Sequence, residues 1–397
     1  MRIALIRKAY TPFGGAERHV DRFIDGLLAA GHDVHLYTAR WTTTAESPRV
    51  GLTLHTVPVV GVSSWTEAWS FGTRASRTAS IGGYDVVHSF DRVTSCDVYR
   101  AGDGVHREWL QCRRAAQPAW RRAIPSLNPL HRVYLSLERG LFQGRARIIV
   151  ANSERGRADI TRHYGTDAAR IRVVYNGVDL DHWRMPSMEE RQAARGLAKV
   201  EHGQRLAVLI GSGFERKGVA TAIRALAALR GKSASAWRLA VVGRGRPEAY
   251  RTLARSLGVG DRVSFVGPVP DVRPWYAAAD GLLLPTIYDP FANVCLEALA
   301  CGVPVVTSAA NGAAEIILDD AGTVVADASD ADGFAAALTR IGEDAGDRAI
   351  ACRRVAERFP FRKHLDAMLA VYEDLRKQGR TPHSASRRLA SPNATLL

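Results

Sequence analysis

Short apolar runs alternate with amphipathic segments along most of the chain. The apolar runs are bounded by glycine, proline or charged residues, which is typical of buried strands. The segments between them repeat apolar residues every three to four positions, as helices do when they cover a sheet. In the first half, the predicted strands are Arg2–Ile6, Val34–Tyr37, Leu54–Val60, Asp85–His88 and Arg147–Ala151. This alternation predicts a parallel sheet with helices on both faces.

The alternation stops over a polar stretch around residues 184–204 and then begins again. The second set of predicted strands is Leu206–Ile210, Leu239–Val242, Val263–Val266, Gly281–Pro285 and Val303–Thr307. We therefore expect an α/β protein with two Rossmann-like, doubly wound parallel-sheet domains, over residues 1–185 and 186–362, facing a cleft that binds the ligands. A terminal helix over 363–377 is expected to cross back to the N-terminal domain. Residues 378–397, rich in Ser, Arg and Pro, are predicted to be disordered.

Composition narrows the class of protein. The five cysteines have no CxxC spacing, which argues against a structural zinc site or a disulfide framework and indicates a reducing compartment. No apolar run reaches the roughly 18 residues of a membrane-spanning helix. The first ten residues are too charged for a secretory signal. These features predict a cytoplasmic protein.

The chain is strongly basic, with a formal net charge of +14, and 48 of its 54 basic residues are arginine. Residues 1–184 carry 26 Lys and Arg against 17 Asp and Glu. The N-terminal half is therefore expected to face something anionic, which could be nucleic acid, a phosphorylated acceptor or a membrane surface. RNP-like aromatic residues, helix-turn-helix spacing and zinc signatures do not occur in the sequence, which argues against nucleic acid.

The segment over residues 288–304 carries the most chemistry. Asp289 is predicted to cap a helix that starts at Pro290 and follows a strand. The first amides of that helix would be free to bind a phosphate, helped by the helix dipole. Glu297 lies roughly 12 Å further along the axis, so that one acid could reach a sugar and the other a ribose. The alternative is that Asp289 only caps the helix and that Glu297 is solvated.

Two glycine-containing turns could also approach a ligand. In the turn over residues 210–218, Arg216 and Lys217 would clamp the β-phosphate of a departing nucleotide, because neutralising the leaving group is the main electrostatic task in glycosyl transfer. The alternative is a solvated pair of cations. In the first strand-to-helix turn, Gly14 and Gly15 would let the backbone come close to a ligand. A complete G-x-G-x-x-G dinucleotide pattern does not occur.

Four motifs in combination resemble the retaining family-4 glycosyltransferases of GT-B architecture, and most of all the bacterial lipopolysaccharide core glucosyltransferases. They are the D-x7-E stretch ending in ALACGVPVV, the turn GSGFERKG, the segment Tyr175–Asp179 and PFGGAER near the start. The resemblance covers about residues 1–376. It implies a metal-independent, retaining hexosyltransferase without a further cofactor, which uses UDP-glucose as donor and a heptose of the lipopolysaccharide core or a related lipid-linked saccharide as acceptor. Alternatives are transfer from UDP-galactose, UDP-N-acetylglucosamine or ADP-heptose, and a non-enzymatic, basic membrane- or nucleic-acid-binding scaffold.

The resemblance also implies roles for individual residues. The family usually has Glu where Asp289 stands, and many members have Arg where Ser212 stands, so Arg216 is expected to substitute. The implied donor-binding residues are Gly14, Gly15, Arg216, Lys217, Asp289, Phe291, Ala292, Asn293, Val294 and Glu297, with Lys217 also catalytic.

The acceptor side is predicted in the loop over residues 101–106. Asp103, which the resemblance equates with an acid of the core glucosyltransferases, or His106 could orient or deprotonate the attacking hydroxyl. The alternative is a solvated turn with a surface histidine.

A basic segment follows that loop. Between residues 107 and 132, six arginines and one acid are interleaved with tryptophan and leucine, a pattern that suits an interfacial helix on an anionic membrane. We expect peripheral binding to the inner face of the cytoplasmic membrane; the alternative is a basic helix that packs its tryptophans into the core. The residues predicted to touch the membrane are Arg113, Arg114, Trp120, Arg121 and Arg122.

Overall fold

A computed structural model describes residues 1–10, 15–41, 49–61, 63–117, 128–231, 236–318, 320–343 and 345–379. It contains two large parallel sheets, of seven and six strands, covered by helices, and a further two-stranded sheet in the N-terminal domain. The two-domain α/β fold expected from the hydrophobic pattern is thereby confirmed. The strands of the N-terminal domain are β1 (Arg2–Ile6), β2 (Ala9–Tyr10), β3 (Asp33–Thr38), β4 (Arg40–Trp41), β5 (Leu52–Thr56), β6 (Val86–Ser89), β7 (Cys96–Arg100), β8 (Ala146–Ala151) and β9 (Ile171–Val173).

The C-terminal domain repeats this design with six strands. The strand order is β5-β3-β1-β6-β7-β8-β9 in the first sheet and β12-β11-β10-β13-β14-β15 in the second. In both sheets the order reverses near the first strand of the domain, which is where doubly wound folds open a crevice for ligands. The strands of the second sheet are β10 (Arg205–Ile210), β11 (Trp237–Val242), β12 (Val263–Gly267), β13 (Gly281–Leu284), β14 (Val305–Ser308) and β15 (Gly322–Val325).

Helices cover both faces of each sheet, since the strands are apolar on both sides. Within the described residues, none of these helices combines the length and the apolarity needed to cross a bilayer. The helices are α1 (Gly15–Ala29), α2 (Ser64–Ser80), α3 (His106–Ala115), α4 (Pro129–Gly140), α5 (Glu154–Tyr164), α6 (Met188–Leu197), α7 (Val219–Ala228), α8 (Glu248–Ser256), α9 (Arg273–Ala278), α10 (Asn293–Ala300), α11 (Ala331–Glu343), α12 (Ala345–Ala356) and α13 (Phe361–Lys377).

The last helix, α13, returns to the N-terminal domain. Its residues Leu365, Met368 and Tyr372 belong to the core on one face of the first sheet. The Tyr372 hydroxyl lies 2.5 Å from Nδ1 of the fully buried His88. The two crossings between the domains run side by side, because the amide of Val178 donates to the Phe359 carbonyl and the Val178 carbonyl accepts from the amide of Phe361. Of the segment predicted to be disordered, residues 380–397 lie outside the described residues.

Candidate active site

The cleft between the domains holds a cavity of about 690 Å³. This volume is large enough for a drug-sized ligand. Its walls come from the carboxyl ends of strands in both sheets. The sequence-predicted residues that line it are Asp103, His106, Arg216, Lys217, Asp289, Phe291, Ala292, Asn293, Val294 and Glu297.

Asp289 forms a compact ion cluster with the two cations of the glycine-containing turn. Its Oδ2 accepts from Lys217 Nζ at 2.8 Å and from Arg216 Nη1 at 2.5 Å. Burial alone would raise the pKa of Asp289, but Lys217 and Arg216 outweigh it and hold that pKa at about 2. Asp289 is therefore ionised at neutral pH, and its carboxylate lies against two basic side chains. The alternative of a solvated Arg-Lys pair does not hold for Lys217, which is only 6% exposed.

The helix that follows Asp289 begins later than the sequence predicts. Helix α10 starts at Asn293, and its N-cap is Ala292. The prediction that Asp289 caps the helix with Pro290 as its first residue was wrong, because the backbone of Asp289 forms a parallel bridge with Asn311 and stays extended. The Asp289 amide donates to the Ala310 carbonyl, and its carbonyl accepts from the Gly312 amide.

This later start changes which backbone amides can meet a phosphate. The amide of Phe291 donates to Asp289 Oδ1 at 3.2 Å, and that of Ala292 donates to Asn311 Oδ1 at 3.1 Å. The predicted free amide of Ala292 is therefore already bonded. Asn293 and Val294 open the helix, and amides at these positions have no acceptor within it. They are the helix-end donors that an anion can use.

Glu297 lies one turn further along α10. It is 9% exposed, so the alternative of a solvated side chain was wrong. Its Oε2 accepts a hydrogen bond of 2.9 Å from the hydroxyl of Tyr276, a fully buried residue. This contact fixes the carboxylate at the wall of the cleft, where it can accept from hydroxyl groups.

The turn that carries Arg216 and Lys217 is held by close contact with the end of β13. The Arg216 carbonyl accepts from the Ile287 amide and from the Thr286 hydroxyl. Gly218 has φ +74°, and a Cβ there would lie 1.8 Å from the Pro285 carbonyl oxygen. Glycine is therefore required by both conformation and space.

We expect Gly218→Ala to destabilise the C-terminal domain by about 2 kcal/mol more than Gly213→Ala does, because overpacking is added to the strain of a positive φ. Gly213 is the matched control, since it has φ +81° and an added Cβ would meet nothing within 4 Å. The two free energies of unfolding are compared by urea denaturation. Equal losses would show that space at residue 218 does not matter.

On the opposite wall, Asp103 lies close to a buried arginine. Its side chain is 54% exposed, and Oδ2 is 3.7 Å from Nη1 of Arg92. Arg92 is held in turn by Glu138, a fully buried carboxylate. Glu138 also accepts from the backbone amides of His106 and Arg107 and from the hydroxyl of Tyr164. The acceptor-side loop is thus positioned by a buried carboxylate 35 residues further along the chain.

His106 is poorly suited to the proton transfer that the sequence suggested. It is 9% exposed, and its Nε2 lies 3.0 Å from Nδ1 of His131. Burial, and then the charge of Arg92, lower its pKa to about 3. An imidazole with so low a pKa is a weak base at neutral pH. This environment argues against His106 as general base and against the alternative of a surface histidine, and it leaves Asp103 as the accessible carboxylate of the loop.

Direct contacts join the two walls. The Tyr288 hydroxyl accepts from the Val105 amide at 2.7 Å, and the Ser153 hydroxyl donates to the Pro290 carbonyl at 2.7 Å. Asn176 bridges the domains by accepting from Arg100 and donating to Asn293 Oδ1. Sequence reasoning missed these residues. Only Asn176 carried a signal, as part of the Tyr175–Asp179 motif, while the others became visible only in the fold.

The other predicted site residues are the glycines of the first strand-to-helix turn and the residues expected to contact the membrane. Gly15 is the first residue of α1, and Gly14 lies outside the described residues. Arg113, on α3, pairs across the cleft with Glu215 at 3.2 Å. Arg114 is on the same helix, whereas Trp120, Arg121 and Arg122 fall in residues 118–127, outside the described part.

No three His, Cys, Asp or Glu side chains are grouped as metal ligands within the described ranges. Asp179 and Asp181, which mimic a metal-binding DxD pattern, do not converge on a shared ligand. Asp179 Oδ1 accepts from the amides of Asp181 and His182, and its Oδ2 pairs with Arg22 at 2.9 Å. The pattern is a turn between the domains.

Comparison with known proteins agrees with this geometry. The family model "Glycosyl transferases group 1" matches residues 204–344, and "Glycosyltransferase Family 4" matches residues 13–182. The lipopolysaccharide glucosyltransferase WaaG of Escherichia coli (strain K12) is 32% identical over 335 residues, which cover 82% of this chain and 86% of that protein. A crystal structure of WaaG matches with a TM-score of 0.79 at 27% identity, covering 93% of this chain and 99% of the other.

The chain is also similar to a second glycosyltransferase in sequence and to a further solved structure in fold. A D-inositol 3-phosphate glycosyltransferase of Xylanimonas cellulosilytica is 30% identical over 408 residues, which cover 92% of this chain and 93% of that protein. Anabaena HepE, solved in complex with UDP and glucose, shares the fold with a TM-score of 0.70 at 18% identity, covering 94% of this chain and 100% of the other. With its two parallel-sheet domains and these relatives, the chain belongs to the family-4 glycosyltransferases of GT-B architecture.

Proposed function

We propose that the protein transfers glucose from UDP-glucose to the lipopolysaccharide core or to a related lipid-linked saccharide, with retention of the anomeric configuration and without a metal ion. The observation that carries the proposal is the buried cluster of Asp289, Arg216 and Lys217 beside the start of α10. It combines a charge partner for a diphosphate with an acceptor for sugar hydroxyls. The likeness to WaaG supports the donor and the acceptor, and the complex of HepE with UDP and glucose is consistent with the donor.

The cluster has the charges that the reaction needs. As the bond between the sugar and the diphosphate breaks, negative charge grows on the leaving phosphate. Lys217 Nζ and the Arg216 guanidinium can neutralise it together with the amides of Asn293 and Val294. Asp289 Oδ2, which accepts from both cations in the free protein, holds them in place before the donor arrives. Asp289 is one methylene shorter than the Glu usual in the family, so we infer that its contact with the sugar is longer or passes through water.

The donor is tested by measuring hydrolysis of UDP-glucose, UDP-galactose, UDP-N-acetylglucosamine and ADP-heptose by the purified protein. We expect UDP-glucose to be hydrolysed fastest and UDP to raise the melting temperature saturably. A clear preference for another nucleotide-sugar would replace the donor and leave the reaction class intact. The absence of any UDP-dependent shift would favour a non-enzymatic scaffold and contradict the proposal.

We also propose that the protein acts at the inner face of the cytoplasmic membrane, where a lipid-linked acceptor is presented. The basic segment over residues 107–132 follows the acceptor loop directly, and each arginine near an anionic leaflet contributes on the order of 1 kcal/mol. Arg113 is engaged with Glu215 across the cleft. We assign membrane contact to Arg114, Arg121 and Arg122 together with Trp120 on the sequence pattern, and keep Arg113 out of the test because of its pair with Glu215.

The triple variant R114Q/R121Q/R122Q is expected to lose most of its binding to phosphatidylglycerol-containing vesicles. Binding of the unchanged protein should weaken as salt is added, because it depends on charge. The control is R224Q/R255Q/R354Q, which removes the same charge from exposed sites of the C-terminal domain. Co-sedimentation measures both. Equal binding to neutral vesicles, or equal loss in the control, would contradict a specific role for the segment.

A further inference from the structure

The N-terminal wall of the cleft contains a buried arginine whose charge is not matched by a carboxylate. Arg100 is the last residue of β7 and is 8% exposed. Its Nη2 donates to Asn176 Oδ1 at 2.5 Å, while its Nε has no hydrogen-bond acceptor among the described residues. Within the same residues, no Asp or Glu lies within ion-pair distance of its guanidinium. A buried charge without a partner is costly, which calls for an explanation.

The carboxylate of Asp103 acts on Arg100 through its charge, but it lies beyond ion-pair distance. Three buried histidines, His19, His88 and His364, lie near Arg100, and burial, followed by the charge of Arg100, lowers the pKa of each. They are neutral at pH 7. Burial, only partly opposed by Asp103, also lowers the pKa of Arg100 itself, to about 10, so the guanidinium remains charged at neutral pH. The free protein thus keeps a cation in a low-dielectric wall that faces the cleft.

The topology brings a second arginine to the same place. Arg7 follows β1 and Arg100 ends β7, and these strands flank β6 in the sheet. Neighbouring strands are about 4.8 Å apart, so the backbones of the two arginines are separated by the width of β6. Arg7 is also paired with Asp91, whose Oδ1 lies 3.5 Å from Nη1 of Arg7. Both line the cleft cavity, as does Gly102. A Cβ at Gly102 would lie 2.9 Å from Nη1 of Arg100, so glycine keeps one face of the guanidinium open.

The position of Arg100 relative to the donor helix limits what could bind there. Asn176 joins Arg100 to Asn293, the first residue of α10, through two successive hydrogen bonds. A ligand group at Arg100 would therefore lie beside the donor but on the wall that carries Asp103. That is the place where an acceptor must enter.

We propose that Arg100 and Arg7 form a binding site for an oxyanion, a phosphate or carboxylate group, carried by the saccharide acceptor. The guanidinium fork of arginine suits both groups because it can donate two parallel hydrogen bonds. The inference rests on the proposed function, whose acceptor it specifies as anionic. The donor diphosphate is the other possible source of the oxyanion, and the experiment separates the two.

The test measures binding of inorganic phosphate by calorimetry, in the free protein and in the protein saturated with UDP. We expect phosphate to bind with UDP present, and Arg100→Met to weaken that binding about tenfold or more, since it loses a charge-assisted hydrogen bond. UDP affinity should change less than twofold. Arg224→Met, on the exposed face of α7, is the matched control. Glucose 6-phosphate should compete with phosphate, whereas glucose should not.

Other outcomes overturn the inference. If UDP displaces phosphate and Arg100→Met weakens UDP binding, the oxyanion is the donor's. If phosphate does not bind although UDP does, the acceptor site is wrong while the proposed function stands. If UDP itself does not bind, the proposed function fails independently.

Thermal melting checks whether Arg100 has a structural role instead. The melting temperature of Arg100→Met should equal or exceed that of the unchanged protein, because an unpaired buried charge is removed. A lower melting temperature that Arg100→Lys restores would also overturn the proposal.

Discussion

Replacing Lys217 by alanine is expected to lower kcat/KM for sugar transfer by about two to three orders of magnitude, the usual scale for one preorganised charge partner. Lys217 is buried, and its Nζ lies 2.8 Å from Asp289, where the leaving phosphate would be bound. Loss of the ammonium leaves Arg216 and the amides of Asn293 and Val294 to neutralise the negative charge that grows on the diphosphate. Steady-state turnover of the donor measures the effect.

The fold is expected to survive this change, because Asp289 keeps Arg216 as an ion-pair partner. Circular dichroism and melting check the fold, and Lys217→Met provides a variant that fills the same space. Lys363→Ala, an exposed lysine on α13, is the matched control and should keep full activity. Near-normal turnover by a folded Lys217→Ala protein would remove this residue from the mechanism.

Asp103→Asn is expected to lower the rate of transfer by about two orders of magnitude while leaving UDP affinity nearly unchanged. The carboxylate is exposed to the cleft from the acceptor domain, and an amide can neither take up a proton nor hold the same charge. Transfer to the acceptor and UDP binding by calorimetry are measured side by side.

The buried Arg92 should not be left unpaired by this change, since Glu138 still holds it. Asp320→Asn, an exposed acid of the C-terminal domain, is the control and should be fully active. If UDP binding falls together with transfer, Asp103 serves the donor or the fold instead of the acceptor.

The sheets were predictable from sequence where a strand is apolar throughout. The run Arg205–Ile210 is an example, since five of its six residues are buried. Strand β7 escaped prediction because Cys96–Arg100 contains Asp97 and Arg100, which break the apolar run. Those charges are tolerated because Asp97 accepts from the Val87 amide and Arg100 ends the strand at the cleft. The predicted strand Leu54–Val60 was displaced, because pairing with β3 sets β5 at Leu52–Thr56.

The candidate site was predictable in its residues but not in its geometry. Local rules placed the N-cap at Asp289 and the helix start at Pro290, whereas the bridge between Asp289 and Asn311 delays the start to Asn293. That bridge joins positions 22 residues apart, and no local pattern reports it. The proton-transfer role suggested for His106 is disfavoured for the same reason, since burial, followed by the charges of Arg92 and His131, lowers the pKa of this imidazole, and only the fold creates that environment.

The return of helix α13 makes the N-terminal domain discontinuous in sequence. Its core needs Leu365, Met368 and Tyr372, which follow the entire C-terminal sheet in the chain. During synthesis, the first 185 residues therefore leave the ribosome without the helix that covers one face of their sheet. The C-terminal domain, in contrast, is a single continuous insert and can fold as soon as it emerges. We expect the second domain to complete its fold before the first, and helix α13 to complete the core of the first when it docks.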